Sequence, residues 1–505
     1  MDLDAGAKTN RSPRIAVIGA GMSGILTAIK LQEAGITDFT VYEKADRLGG
    51  TWRENTYPGL SCDVPSHMYR YSFEPNPEWS HRFSPGAEIQ AYFEAVAKKY
   101  NVESFIKFNS EITRAAYRDG KWHLEIGAES GGESGGETVD VVDIIISAAG
   151  VLHHPVYPDI AGLDDFAGTV FHSARWNHDA PLDGKRIGIV GTGSTAVQIT
   201  ADIVSRVAHL SLFQRTAQWI FPQENPAFSE DEKNLFRSQP QAMDDLHASL
   251  TRLFADTFGQ AVIGDKEQMK RVEDACLANL EDNVRDPDLK ARLTPDYQAA
   301  CKRLIVSDGF YEAIQQPNAE LVTTPIDRVE AGGVRTRDGR LHELDVLVLA
   351  TGFDGHSFMR PMDLIGKGGV DLKDVWAEAT QAHRSISIPG FPNFFMLVGP
   401  NSPIGNFSLI DISERQVGYI MQLIELWRGG AVNEIAAKQD AADRFNAALK
   451  EAMKDTVWVT GCQSWYLDKN GNPAMWPFSF DRFCDDMAAP DLEEYELVSQ
   501  SSSGL

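Results

Sequence analysis

The 505-residue sequence predicts an α/β fold made of two doubly wound units, and three observations carry that prediction. A strand, a glycine-rich turn and a helix occur in succession twice, as RIAVIGAGMSG from Arg14 to Gly24 and as RIGIVGTGSTA from Arg186 to Ala196. A continuous apolar run ending in small residues also occurs twice, as DIIISAAG from Asp143 to Gly150 and DVLVLATG from Asp345 to Gly352. Such runs suit parallel strands covered on both faces. After each turn, apolar residues recur at helical spacing, through Ile25, Ala28 and Ile29 in the first copy and Ile199, Ile203 and Val204 in the second. Each copy therefore opens like a Rossmann-like dinucleotide-binding domain.

In the first unit, Gly19, Gly21 and Gly24 complete GxGxxG directly after IAVI. Glycines there let the backbone turn tightly and approach a pyrophosphate at a helix N-terminus. The helix is expected over 25–34. Glu43 follows Gly24 by about 20 residues, at the end of a second strand-like run, where an acidic side chain meets a ribose. From Val102 to Ile145 the pattern alternates, with Trp122, Leu124 and Ile126 on one face, as in antiparallel structure. The stretch AESGGESGGETVD reads as a solvent loop of low complexity.

The second turn reads GxGxxA, through Gly191, Gly193 and Ala196, and its helix is expected over 197–208. The offset that reached Glu43 now reaches Arg215, followed by Thr216. An acidic residue would repel a 2′-phosphate, whereas arginine pairs with it. The first site therefore suits a free ribose (FAD or NAD) and the second NADP. From Asn225 to about Ala300 the chain is charged and helical in period, which marks a helical insertion in the second unit. The expected division is an FAD-binding part over 1–150, a linker and NADP-binding domain over 151–340 with the insertion at 225–300, and the rest of the FAD-binding domain with a C-terminal loop over 341–505.

Lys and Arg number 47 against 72 Asp and Glu, a formal charge of −25 that argues against nucleic acid or an anionic membrane as the main partner. The N-terminal stretch is polar and no apolar run approaches the ~18 residues of a membrane span, so no secretory leader or span is expected. Five scattered cysteines without a CxxC speak against a disulfide scaffold, a zinc ribbon or a thioredoxin-type pair, and favour a reducing cytoplasm. HExxH, GxSxG and Walker A patterns are absent, and no histidine cluster has metal-ligand spacing.

Between the two turns lies GGTWRENTYPGLSCD, which fits [A/G]GxWxxxx[F/Y]P[G/M]xxxD through Gly49, Gly50, Trp52, Tyr57, Pro58, Gly59 and Asp63. Further on, FAGTVFHSARWN supplies FxGxxxHxxxW through Phe166, Gly168, His172 and Trp176, with Asn177 where Pro or Asp is more usual. In these motifs the sequence resembles type I Baeyer–Villiger monooxygenases. ATGFD, GFPNFFMLVGPNSP, CKRL and SWYLDKNGN extend the resemblance over most of the chain, and the tail around Trp458 to Trp476 is closest to the hydroxyacetophenone monooxygenase branch.

The resemblance implies an NADPH- and O2-dependent FAD monooxygenase that converts ketones to esters or lactones through a C4a-peroxyflavin. Arg303 would be the fixed catalytic cation and Asp63 its orienting partner. Thr51, Trp52, Asp63 and Tyr69 would face FAD. Thr192, Ser194, Thr195, Gln198 and Lys302 would join Arg215 and Thr216 at NADP, and Trp465 would reach the nicotinamide cofactor. Leu409 would lie at the cofactor and, with the stretch from Ile404 to Ser408, border the substrate. Partners would be a small ketone and O2, and the chain a monomer or homodimer. Read without the resemblance, Arg303 is an ordinary ion-pair residue, Asp63 a turn residue, and His172 and Cys62 structural. The alternatives are an N- or S-oxygenating flavin monooxygenase and, in another class, a non-catalytic NADP/flavin redox sensor.

Overall fold

A computed structural model describes residues 11–128 and 138–499. Two five-stranded parallel sheets organise it. The first runs Phe394–Met396, Ile144–Ser147, Ile15–Ile18, Phe39–Tyr42, Ile106–Lys107. The second runs Ala319–Val322, His209–Phe213, Arg186–Val190, Val346–Leu349, Thr169–His172. In both, the strand before the glycine turn is central and the late apolar strand pairs beside it. The two sheets even start alike. The Arg14 amide donates to Asp143 Oδ2 at 2.9 Å, and the Arg186 amide to Asp345 Oδ2 at 2.8 Å.

The second sheet continues beyond the boundary expected at 340, because Val346–Leu349 fills the place between Arg186–Val190 and Thr169–His172. The chain leaves this sheet near Gly352 and re-enters the first sheet at Phe394–Met396. The first helix is Met22–Glu33. The second is Ser194–Ile203, shorter at its C-terminal end than 197–208. Asn318 Nδ2 takes the carbonyls of Val204 and Val207, both at 2.9 Å, which ends the helix and turns the chain into His209–Phe213.

A four-stranded sheet (Asp363–Ile365, Ser110–Arg118, Lys121–Ala128, Thr138–Val142) carries the alternating region. Trp122, Leu124 and Ile126 are buried on one face of it. The low-complexity loop falls mostly on 129–137, outside the described residues. The expected insertion contains the helices Glu230–Ser238, Gln241–Asp256, Phe258–Val262, Lys266–Asn283 and Pro287–Leu293. Ser229 and Glu232 form a capping box, and Asp265 and Asp286 cap two later helices. Met269, Val272, Cys276 and Leu280 make the buried stripe of Lys266–Asn283, at helical spacing.

One expectation about cysteine needs correcting. Cys301 and Cys462 form a disulfide, with Cα atoms 6.1 Å apart and a sequence separation of 161. Scatter along the chain did not keep them apart, because the C-terminal loop folds back onto the segment before Lys302. That bond removes one support for a reducing compartment. Cys62, Cys276 and Cys484 are free. No helix among the described residues is long and apolar enough to cross a membrane.

Candidate active site and cofactor cradles

The first glycine turn is closely packed. Gly19 has φ +97°, and a Cβ on Gly24 would run into the Gly19 carbonyl oxygen. Glu43 lies buried beneath the turn. Its Oε2 accepts the Ala20 N–H at 2.8 Å and its Oε1 the Ala45 N–H at 3.0 Å. The carboxylate thus braces the turn, and each oxygen keeps a lone pair for a ribose hydroxyl. Arg53 Nη1 approaches Glu43 at 3.9 Å, a partner that sequence position did not mark. Thr51 opens the short helix Thr51–Glu54. Trp52 Nε1 donates to Tyr69 Oη at 3.0 Å, so these two expected residues hold each other.

In the second turn a Cβ on Gly191 would come 2.4 Å from the Ala350 carbonyl oxygen, Gly193 has nothing within 4 Å of its would-be Cβ, and Arg215 is exposed beside the turn. Thr192 Oγ1 donates to the Thr216 carbonyl at 3.0 Å. A cavity of about 360 Å³ is lined by Arg215, Thr216, Arg292 and Thr294 among others. Burial, then the charge of Arg215, lowers the pKa of Lys302. Neither Arg215 nor Lys302 has a carboxylate within 4.0 Å among the described residues. Two neighbouring cations not ion-paired at contact distance, with Asp296 also lining the cavity, fit a phosphate, and a braced glycine turn over a buried carboxylate fits the ribose and pyrophosphate of FAD.

Gln198 and Thr195 are drawn to the contact between the two units. Tyr57 Oη donates to Gln198 Oε1 at 3.0 Å, Gln198 Nε2 donates to the Ser61 carbonyl at 3.0 Å, and Thr195 Oγ1 reaches Tyr57 Oη at 3.4 Å. Gly59 must be glycine here, since its Cβ would sit 2.6 Å from the Gln198 carbonyl oxygen. The aromatic and the glycine of the first quoted pattern therefore serve domain contact. Thr56 and His178 Nε2 add a second tie at 2.7 Å. His172 Nδ1 accepts the Ala174 N–H at 3.1 Å, so this histidine ties a linker turn. Trp176 packs edge-on against Phe171.

Arg303 and Asp63, 240 residues apart, meet where the first unit, the second unit and the C-terminal loop converge. Arg303 Nε donates to Asp63 Oδ2 at 3.1 Å, and Nη2 donates to the same oxygen. The carboxylate raises the arginine pKa further, so the guanidinium is a permanent cation. Arg303 retains 32% of its side-chain exposure, which leaves it reachable. Tyr466, which sequence reasoning missed although it adjoins Trp465, is buried beside the same guanidinium. A Cβ on Gly405 would come 2.5 Å from Tyr466 Oη and 3.2 Å from Arg303 Nη1, so the stretch from Ile404 to Ser408 borders this point. Leu409 begins the helix Leu409–Arg428 just beyond. Trp465 packs on Gly355, with its carbonyl 2.9 Å from His356 Nε2.

Two dinucleotide units in contact, with a fixed cation near their meeting, define an FAD- and NADP-dependent oxidoreductase. Residues 12–236 match the family described as flavin-binding monooxygenase-like. A monooxygenase of Mycobacterium tuberculosis (strain H37Rv) is 49% identical over 97% of each chain. A Baeyer–Villiger monooxygenase of Streptomyces coelicolor is 38% identical over 96% of this chain and 92% of its own. The crystal structure of cyclohexanone monooxygenase from Rhodococcus sp. Phi1 bound to NADP+ superposes with a TM-score of 0.85 at 26% identity, covering 97% of this chain and 99% of that one. The chain belongs to the Baeyer–Villiger monooxygenase family.

Proposed function

We propose that the chain oxygenates ketones to esters or lactones, and that Arg303, held by Asp63, is the catalytic cation. The balance is ketone, O2, NADPH and a proton giving ester, NADP+ and water. Bound FAD supplies the oxygen-activating chemistry, and NADPH the hydride. The observation that carries the reading is the Asp63–Arg303 pair at the convergence of both nucleotide units. Negative charge develops on the ketone oxygen as its carbon becomes tetrahedral. A preoriented guanidinium stabilises that charge with no reorganisation, more strongly where water is excluded. Asp63 holds Nε and Nη2 through one oxygen and so fixes the plane of the group. Relatives named for cyclohexanone and steroid oxygenation support a ketone as substrate class.

On this reading Glu43 and the first glycine turn hold FAD, with Thr51, Trp52 and Tyr69 at its flank. Arg215, Thr216 and Lys302 hold the 2′-phosphate of NADPH, Gly191, Gly193 and Ser194 its pyrophosphate, and Trp465 closes over it. FAD-binding segments up to about 150 and beyond about 352 flank an NADP-binding segment.

The test uses the FAD-loaded chain with NADPH, O2 and cyclohexanone or acetophenone. NADPH and O2 should be consumed one for one with ester formed. Arg303→Ala should keep its FAD and lose ester formation by about 100- to 1,000-fold, the range for removing one charge-stabilising donor. Sulfide or amine oxygenation without any ester would favour the N- or S-oxygenating alternative. NADPH binding without turnover would favour a redox sensor.

A further inference from the structure

We propose that Tyr297 is a positioning residue that seats Lys302 for the 2′-phosphate, and thereby sets the preference for NADPH over NADH. The inference rests on the NADPH reading above and deepens it.

Lys302 Nζ lies 4.6 Å from the centroid of the Tyr297 ring. Tyr297 is fastened at its backbone and at its ring hydroxyl. Its backbone carbonyl accepts Trp219 Nε1 at 2.7 Å, and its hydroxyl donates to Gln218 Oε1 at 2.9 Å. Gln218 Nε2 in turn donates to Thr192 Oγ1 and to the Thr216 carbonyl, each at 3.4 Å. A chain of contacts therefore runs from the ammonium through the ring to the second glycine turn, where the dinucleotide enters.

A lysine is a point charge on four rotatable bonds, and nothing in its own geometry aims it. Two neighbours pull on Lys302 in opposite senses. Arg215 repels it and Asp296 attracts it, while burial disfavours its charge. The negative face of a fixed aromatic ring holds an ammonium in place without neutralising it, as a carboxylate would. The charge stays available to a phosphate and stays beside Arg215. NADH has no 2′-phosphate, so the seat of Lys302 matters to one cofactor only.

The experiment compares Tyr297→Leu and Tyr297→Phe in the FAD-loaded full chain. Calorimetric titration with NADP+ and with NAD+ gives affinities, and steady-state rates give KM and kcat for NADPH. Tyr297→Leu should weaken NADP+ by about tenfold and NAD+ by less than about twofold, with KM raised and kcat kept. Tyr297→Phe, which keeps the ring face, should stay within about threefold for both nucleotides. In a Lys302→Met background, Tyr297→Leu should have no further effect on NADP+, since the ring acts through the ammonium. Equal losses for NADP+ and NAD+ would overturn the proposal in favour of a packing role, and so would no loss for either. Should Tyr297→Leu fail to retain FAD, Tyr297→Met removes the ring face in a flexible apolar side chain of closer length, and the same selective loss of NADP+ is required. If the wild-type chain shows no preference for NADP+ over NAD+, the NADPH reading itself fails. If the preference exists and survives Tyr297→Leu, only this inference fails.

Discussion

The two glycine turns share a backbone and differ in what surrounds them. In the first, the third glycine is pressed against Gly19, and the carboxylate of Glu43 is buried and bonded to two amides. In the second, Gly191 is pressed against the Ala350 carbonyl much as Gly19 is against that of Ala148, but Ala196 replaces the third glycine, Gly193 has nothing within 4 Å of its would-be Cβ, and Arg215 stands exposed with no carboxylate within 4.0 Å among the described residues. One cradle completes its own hydrogen bonding, and the other awaits an anion. The difference suits a resident flavin in the first and an exchanging nicotinamide in the second.

Substitution at the turns tests this contrast most severely. Gly24→Val should abolish FAD retention and cost several kcal/mol of stability, because its side chain would overlap backbone that cannot move aside. Gly193→Ala should leave stability within about 0.5 kcal/mol. Flavin content per chain and thermal midpoints of the two variants measure the gap. If both lost FAD equally, the first cradle would not be the flavin site.

Charge removal should have an intermediate effect. Arg215→Ala should lower kcat/KM for NADPH by about 10- to 100-fold, the value of one charge-assisted contact, and leave NADH within about twofold. Steady-state rates with each cofactor decide it, and equal losses would place Arg215 outside the phosphate site.

The smallest effect concerns how each sheet begins. Arg186 holds Asp345 down to a pKa of about 2, below the ~3.9 of a free aspartate. A depressed acid contributes stability above its unfolded pKa and loses it as pH falls through the folded value. With about a third of its side chain exposed, Asp345 should contribute less than about 1 kcal/mol. The thermal midpoint of Asp345→Asn should lie below wild type at pH 7, and the two should converge toward pH 2.5. A gap that persists in acid would assign the effect to the neutral hydrogen bond to the Arg186 amide.

The sequence carried the comparison far because both cradles rest on local order. Strand, turn and the residue about 20 positions on are one short-range unit, so Glu43 and Arg215 were legible from spacing. The meeting of Asp63 with Arg303 was legible only through family resemblance, since no periodicity relates residues 240 apart. Gln198, expected at NADP through the resemblance, also ties Tyr57 and Ser61 across the two units, a contact that spacing along the chain does not reveal. The second helix ended early because Asn318, over a hundred residues away, supplies its stop. Tyr466 and the cystine escaped detection for the same reason, as long-range loop docking leaves no local pattern.

The Cys301–Cys462 bond closes a loop between residues separated by 161 positions, including the return to the first sheet and the helix that begins at Leu409. A protease that cut once anywhere inside that span would release no fragment. The two pieces would migrate together until a thiol was added, and Trp465 would remain leashed to the segment carrying Lys302 and Arg303.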